Sequence, residues 1–132
     1  MKLRGIINVE LARALAALRH TDTFVIADSG LPVPATVPTI DLAVVYGTPA
    51  FELVLRAVLE EVVVEAAAVS TPIAEHNPAC YALIRDLVPT VETMSHDSLK
   101  ARVAHAAFVV RTGEATPFAN VVLRAGVPYF KG

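Results

Sequence analysis

Short apolar runs rich in valine, isoleucine and phenylalanine alternate along this chain with stretches of helical periodicity, and Pro and Gly separate the two. That alternation is the strongest constraint on the fold, because strands joined through helices pack as a sheet with helices on its faces. Thr23-Phe24-Val25-Ile26-Ala27 is β-branched and aromatic, suited to a buried strand, and the Gly and Pro of residues 28–34 force a loop after it. Further strands are predicted over 40–45, 90–94, 107–110 and 120–124, and 62–69 reads as either a strand or a continued helix, with its three consecutive valines favouring the strand. Residues 8–19 predict a helix, with Asn8 as cap and Leu11, Ala14, Leu15 and Leu18 on one face. Gly47-Thr48-Pro49 predicts a cap with Pro at the first helical position, opening a helix to about Glu61. Asn77-Pro78 opens another that ends near Val88-Pro89, and Ser95 caps one over 96–104. The expected fold is α/β: a single compact sandwich of a mostly parallel sheet with helices on its faces, with residues 1–132 as one domain.

Composition narrows the function. The chain has 132 residues, 55% of them hydrophobic and 18% charged, enough apolar surface to offset the entropy of ordering it. A mean hydropathy of +0.55 is high for so small a body, whose surface is large for its volume. Surplus apolar residues are therefore expected to cover a subunit interface. The formal net charge is −2 with no Lys/Arg cluster, so no basic face exists to neutralise phosphates, and nucleic acid is not expected as a partner. The apolar run 57–69 is broken by Glu60, Glu61 and Glu65, so no membrane span is expected, and the lone Cys80 suits a reducing, cytoplasmic setting.

Familiar catalytic devices are missing: there is no phosphate-binding lysine loop, no GxGxxG and no paired Cys or HxxxH spacing. No cofactor and no metal are expected. The informative segment is His20-Thr21-Asp22, a strand, then Asp28, which sets an imidazole at a helix end and a carboxylate at the following strand end. Histidine donates and accepts protons near neutrality, but a histidine at a helix C-terminus also serves simply as a cap, and the residue types leave both readings open. His96 in a first helical turn reads equally as a surface residue. Residues 112–120 form a polar loop carrying Phe118, Ala119 and Asn120, either an ordinary connection or a site. His76 and His105 read as solvated, and Cys80 as helix packing.

The run His20-Thr21-Asp22, five residues, Asp28-Ser29-Gly30-Leu31-Pro32-Val33-Pro34 resembles the signature of the ribose pyranase and fucose mutarotase family. Ile40-Asp41-Leu42, Gly47-Thr48-Pro49-Ala50-Phe51, Ser95-His96 and Arg111-Thr112-Gly113-Glu114 extend the likeness. Thr116-Pro117-Phe118-Ala119-Asn120 and the ending Ala125-Gly126-Val127 complete it, so that it spans nearly the whole chain. The catalytic motif is nearer the ribose branch than the fucose branch, which typically reads Gly-His-Gly-Asp and continues Asp-Ala-His after the strand.

The resemblance implies an enzyme that interconverts the pyranose and furanose forms of D-ribose or a similar aldose, supplying the furanose that ribokinase phosphorylates. It implies a homo-oligomer, a ring-based decamer with active sites between neighbours. It also implies His20 as acid/base residue, with Asp28, His96, Phe118, Ala119 and Asn120 contacting the sugar. Three positions depart from the family pattern. Arg19 replaces a glycine before the histidine, and a left-handed conformation there would cost Arg roughly 1 kcal/mol. Thr39 replaces a basic residue. Phe118 replaces a tyrosine, keeping the ring face but losing the hydroxyl. Arg19 and Phe118 keep a second reading open, a sugar-binding or sensing oligomer without catalysis, as does a mutarotase for another sugar such as L-fucose.

Overall fold

In the computed structural model, which describes residues 1–129, the elements run α1 (Val9–Ala16), β1 (Thr23–Ala27), β2 (Thr39–Asp41), α2 (Phe51–Leu59), β3 (Val64–Ser70), α3 (Ile73–His76), α4 (Pro78–Leu87), β4 (Val91–Met94), α5 (His96–Val103), β5 (Val109–Arg111) and β6 (Val121–Ala125). The six strands form one sheet in the order β2-β5-β1-β6-β3-β4. Five strands run the same way, and β6 alone is antiparallel, pairing with β1 on one side and β3 on the other. The fold is thus the expected α/β arrangement, with a mostly parallel sheet.

Alternation along the strands divides the core between the two faces. Phe24 and Ile26 of β1 and Leu123 of β6 point to one face, where Leu11 and Leu15 of α1, Val54, Leu55 and Val58 of α2 and Ile84 of α4 cover them. Val25 and Ala27 point to the other face, against Leu99 and Val103 of α5. Because β1 is covered on both sides it reads as a continuous apolar run rather than an alternating one.

Three capping assignments hold. Asn8 Oδ1 accepts from Leu11 N–H (2.9 Å), Asn77 Oδ1 from Cys80 N–H (3.4 Å), and Ser95 Oγ from Ser98 N–H (3.1 Å). Other boundaries differ. The strand predicted over 40–45 leaves the sheet after Asp41, whose carboxylate takes the Arg111 guanidinium (2.9 and 3.1 Å) and the Ala43 N–H (3.0 Å) and turns the chain outward. Val44, Val45 and Tyr46 are consequently exposed. The helix predicted from Thr48-Pro49 starts instead at Phe51, after a cis Thr48–Pro49 peptide, and its N-cap Ala50 has no side chain with which to cap it. Glu114, far along the chain, accepts the Phe51 N–H instead (3.0 Å). Helix α1 ends at Ala16 rather than 19, because Asp22 Oδ2 draws Arg19 N–H into a tight turn (2.8 Å). The one-turn helix α3 was not expected.

Candidate functional site

With five strands parallel, their carboxyl ends lie along one edge of the sheet, where open α/β sheets bind ligands. Asp28 follows β1, His96 follows β4, and the 111–118 loop follows β5; Asn120 precedes the antiparallel β6 and so meets them there. These residues line one cavity of about 330 Å³, together with Lys100, Glu114 and Phe118. A larger groove, about 430 Å³ and mostly apolar, lies between α1 and the β2–β5 side of the sheet and includes Thr39, away from this edge.

Asp28 is held on all sides. Its N–H donates to Asn120 Oδ1 (2.9 Å), Asn120 Nδ2 donates to its Oδ2 (3.1 Å), and Gly30 N–H donates to its Oδ1 (3.0 Å). Asn120 is buried at 2% exposure, so the pair is fixed in orientation before any ligand arrives. Phe118 adopts φ 57°, the left-handed region uncommon for a bulky residue. That conformation sets its ring between two imidazoles, edge-on to His96 (5.3 Å, 89°) and tilted against His76 (5.6 Å). His96 Nδ1 is buried and has no hydrogen-bond partner among the described residues. A buried polar atom left in this way costs about 1–3 kcal/mol, which a polar ligand could relieve.

The loop is braced from behind. Glu114 Oε2 accepts from the Thr116 N–H and hydroxyl (3.3 and 3.0 Å), while Asn77 Nδ2 donates to Thr116 Oγ1 and Pro117 O (2.9 and 2.8 Å). Burial works to raise the Glu114 carboxyl, but the hydrogen bonds from Phe51 and Thr116 together outweigh it and hold the group below the ordinary carboxylate range. Gly113 is required there: a Cβ would collide with the Val45 and Thr48 carbonyl oxygens. Burial, then the charges of Glu114 and Asp28, push the Cys80 thiol up to about 12, so it stays protonated and non-nucleophilic near neutrality.

Of the residues singled out in the sequence, Asp28, His96, Phe118 and Asn120 converge on this cavity. Ala119 does not line it; the whole residue is buried in the core. His20 is elsewhere. It precedes β1 whereas Asp28 follows it, and five strand residues at about 3.3 Å each set them roughly 17 Å apart. His20 sits instead beside Glu65 at the start of β3, Nε2 to Oε2 3.3 Å. Arg19 is not among the residues with positive φ; Thr21 is, at 72°, so the anticipated strain falls two residues later. The Arg19 guanidinium caps α1 by donating to the Ala16, Ala17 and Leu18 carbonyls. Lys100 escaped the sequence reading, although its place four residues after His96 puts both on one face of α5.

A fixed carboxylate and amide, an imidazole, a lysine and an aromatic ring around one small cavity define a small-molecule-binding α/β protein that reads polar groups on its ligand. The chain belongs to the RbsD / FucU transport protein family, whose model matches residues 1–128. It is 49% identical over 129 residues to the D-ribose pyranase of Cutibacterium acnes, covering 98% of this chain and 100% of that one. It is 50% identical to D-ribose pyranase 1 of Rubrobacter xylanophilus at the same coverage. The structure of Bacillus subtilis RbsD complexed with D-ribose superposes with a TM-score of 0.93 at 42% identity, over 98% of this chain and 100% of that one. The fucose mutarotase of Streptococcus pneumoniae, in complex with L-fucose, shares the fold at a TM-score of 0.81 and 20% identity, over 93% and 95% of the two chains.

Proposed function

We propose that this chain is a D-ribose pyranase, interconverting the pyranose and furanose forms of the free sugar. The observation that carries the reading is the meeting of Asp28, Asn120, His96 and Phe118 around one cavity in a chain about half identical to D-ribose pyranases over nearly its full length. Asp28 accepts from sugar hydroxyls, Asn120 keeps it aimed, His96 offers a ring nitrogen with no other partner among the described residues, Lys100 adds a donor, and Phe118 offers a ring face. Ring opening takes the proton from the anomeric hydroxyl, breaks the bond from the anomeric carbon to the ring oxygen, and returns a proton to that oxygen. Closure through a different hydroxyl gives the other ring size. A histidine moves protons both ways near neutral pH, and His20 has this role.

His20 and Asp28 lie beyond opposite ends of β1, so His20 reaches a sugar bound at Asp28 only from a second copy. The reading is therefore of a homo-oligomer with sites between neighbours, consistent with a decamer. The exposed Leu3, Ile7, Val9, Val44, Val45, Tyr46 and Leu53 support it, since a lone domain gains nothing by presenting them to water. A cytoplasmic setting suits the lone Cys80. Arg19 turns its head group onto α1 in an ordinary conformation, which favours catalysis over a binding-only protein.

Magnetisation-transfer NMR on equilibrated D-ribose tests this directly. Exchange between pyranose and furanose anomeric signals is expected to accelerate with the protein and to return to the uncatalysed rate with His20→Ala. Equal exchange in the two proteins overturns the role of His20, and a response to L-fucose but not ribose moves the substrate.

A further inference from the structure

We infer that Glu65 is a positioning residue: through a clamp formed with Arg124, it fixes which ring nitrogen of His20 carries the proton. The inference rests on the acid/base role of His20 given above. Glu65 Oε2 lies 3.3 Å from His20 Nε2, while Glu65 Oε1 accepts from Arg124 Nε at 2.8 Å. An ionised carboxylate only accepts, so Nε2 bears the hydrogen and Nδ1 is left with its lone pair free to take a proton.

The backbone on both sides is shaped around this contact. Val64 pairs with Ala125 and Ala66 with Arg124, so Glu65 is the extra residue of a β-bulge in β3. Such bulges re-aim a side chain, often beside active sites. Opposite it, the Gly126 N–H donates to Val63 O (2.8 Å), which ties the chain after β6 to the residue just before the bulged strand. The His20 side is held by Thr21, a β-branched residue at φ 72° whose N–H donates to Ala125 O (2.9 Å). Left-handed β-branched residues are rare and persist where the surroundings impose them. A bulge and a strained threonine thus converge on one imidazole–carboxylate contact that still leaves the His20 side chain 48% exposed.

Arg124 makes the arrangement directional. In Glu65→Gln the amide oxygen must stay with the Arg124 donor, which turns the NH2 toward His20. Two donors cannot face each other, so the hydrogen is driven from Nε2 to Nδ1 and the working nitrogen is blocked. A wrong histidine tautomer is known to disable catalysis while geometry is kept.

The test is the 15N spectrum of His20 alongside ribose exchange in wild type, Glu65→Gln and Glu65→Gln/Arg124→Met. Glu65→Gln is expected to move His20 to the Nδ1–H form and to lower kcat about tenfold to a hundredfold, as loss of the outer-shell partner of a metal-bound histidine does, with KM within about twofold. The double variant frees the amide to present its oxygen to His20 and recovers both tautomer and exchange. Wild-type tautomer and wild-type exchange in Glu65→Gln overturn the inference, as does a tautomer switch without loss of exchange. A wild-type protein that accelerates no ring exchange strikes instead at the functional reading. The spectrum separates the two failures, because it needs no sugar.

Discussion

Asn120 commits both ends of its side chain to Asp28, one accepting from the backbone and one donating to the carboxylate. Its own burial makes the contact consequential, because a buried group stripped of its partner cannot turn to water. Asn120→Ala leaves the Asp28 N–H and one carboxylate oxygen unmatched and is expected to lower unfolding stability by about 1–3 kcal/mol, read from urea denaturation. Millimolar ribose is expected to raise the melting temperature of the wild-type protein, and the same variant is expected to abolish that shift. An unchanged midpoint would mean that Gly30 alone holds Asp28. At this scale the departure at Phe118 also has a physical reading. With His96 edge-on to its ring, the aromatic face is used within the chain as well as offered to a ligand.

At the scale of elements, Glu114 joins three pieces that the sequence presents separately: the start of α2, the loop after β5 and, through Thr116, the cap of α4. Its carboxyl is held below the ordinary 4.5, so the ionised form stabilises the fold above that value, and the contribution is lost as pH falls through the lowered one. Glu114→Gln is therefore expected to melt earlier than wild type at neutral pH and to approach it in acid, as melting temperatures against pH would reveal. A constant gap would remove Glu114 charge as the cause. This residue also explains what the sequence concealed. Asn8, Asn77 and Ser95 were legible as caps because each acts on a residue three positions on. The start of α2 was not, because its cap comes from 63 residues away, nor was the end of β2, which is set by Arg111. The site divides in the same way. Asp28, His96, Phe118 and Asn120 were legible as a motif and meet because parallel strands share an edge, whereas the separation of His20 from them is a matter of topology that no local pattern carries.

For the whole molecule, the proposed pairing of His20 from one copy with Asp28 from another has a consequence that one chain cannot show. His20→Ala and Asp28→Ala are each expected to be inactive alone. Co-expressed, they should assemble some sites with His20 from one parent and Asp28 from the other, about a quarter of all sites under random mixing across a heterologous interface. Ribose exchange of that size in the mixed oligomer, against none in a blend of the separately purified variants, is the expected outcome; none in either would place the whole site within one chain. The strand order has a different implication, for how the molecule is made. The sheet falls into two parts, β2-β5-β1 and β3-β4, and only β6 touches both. Synthesis proceeds from the amino end, so the inner edges of β1 and β3 stay unpaired until residues 121–125 are made, although Leu99 and Val103 of α5 pack against Val25 of one part and Ala68 of the other. Pairing β6 closes both inner edges of the sheet in one step, so the last of the described strands to be made holds the middle of the sheet together.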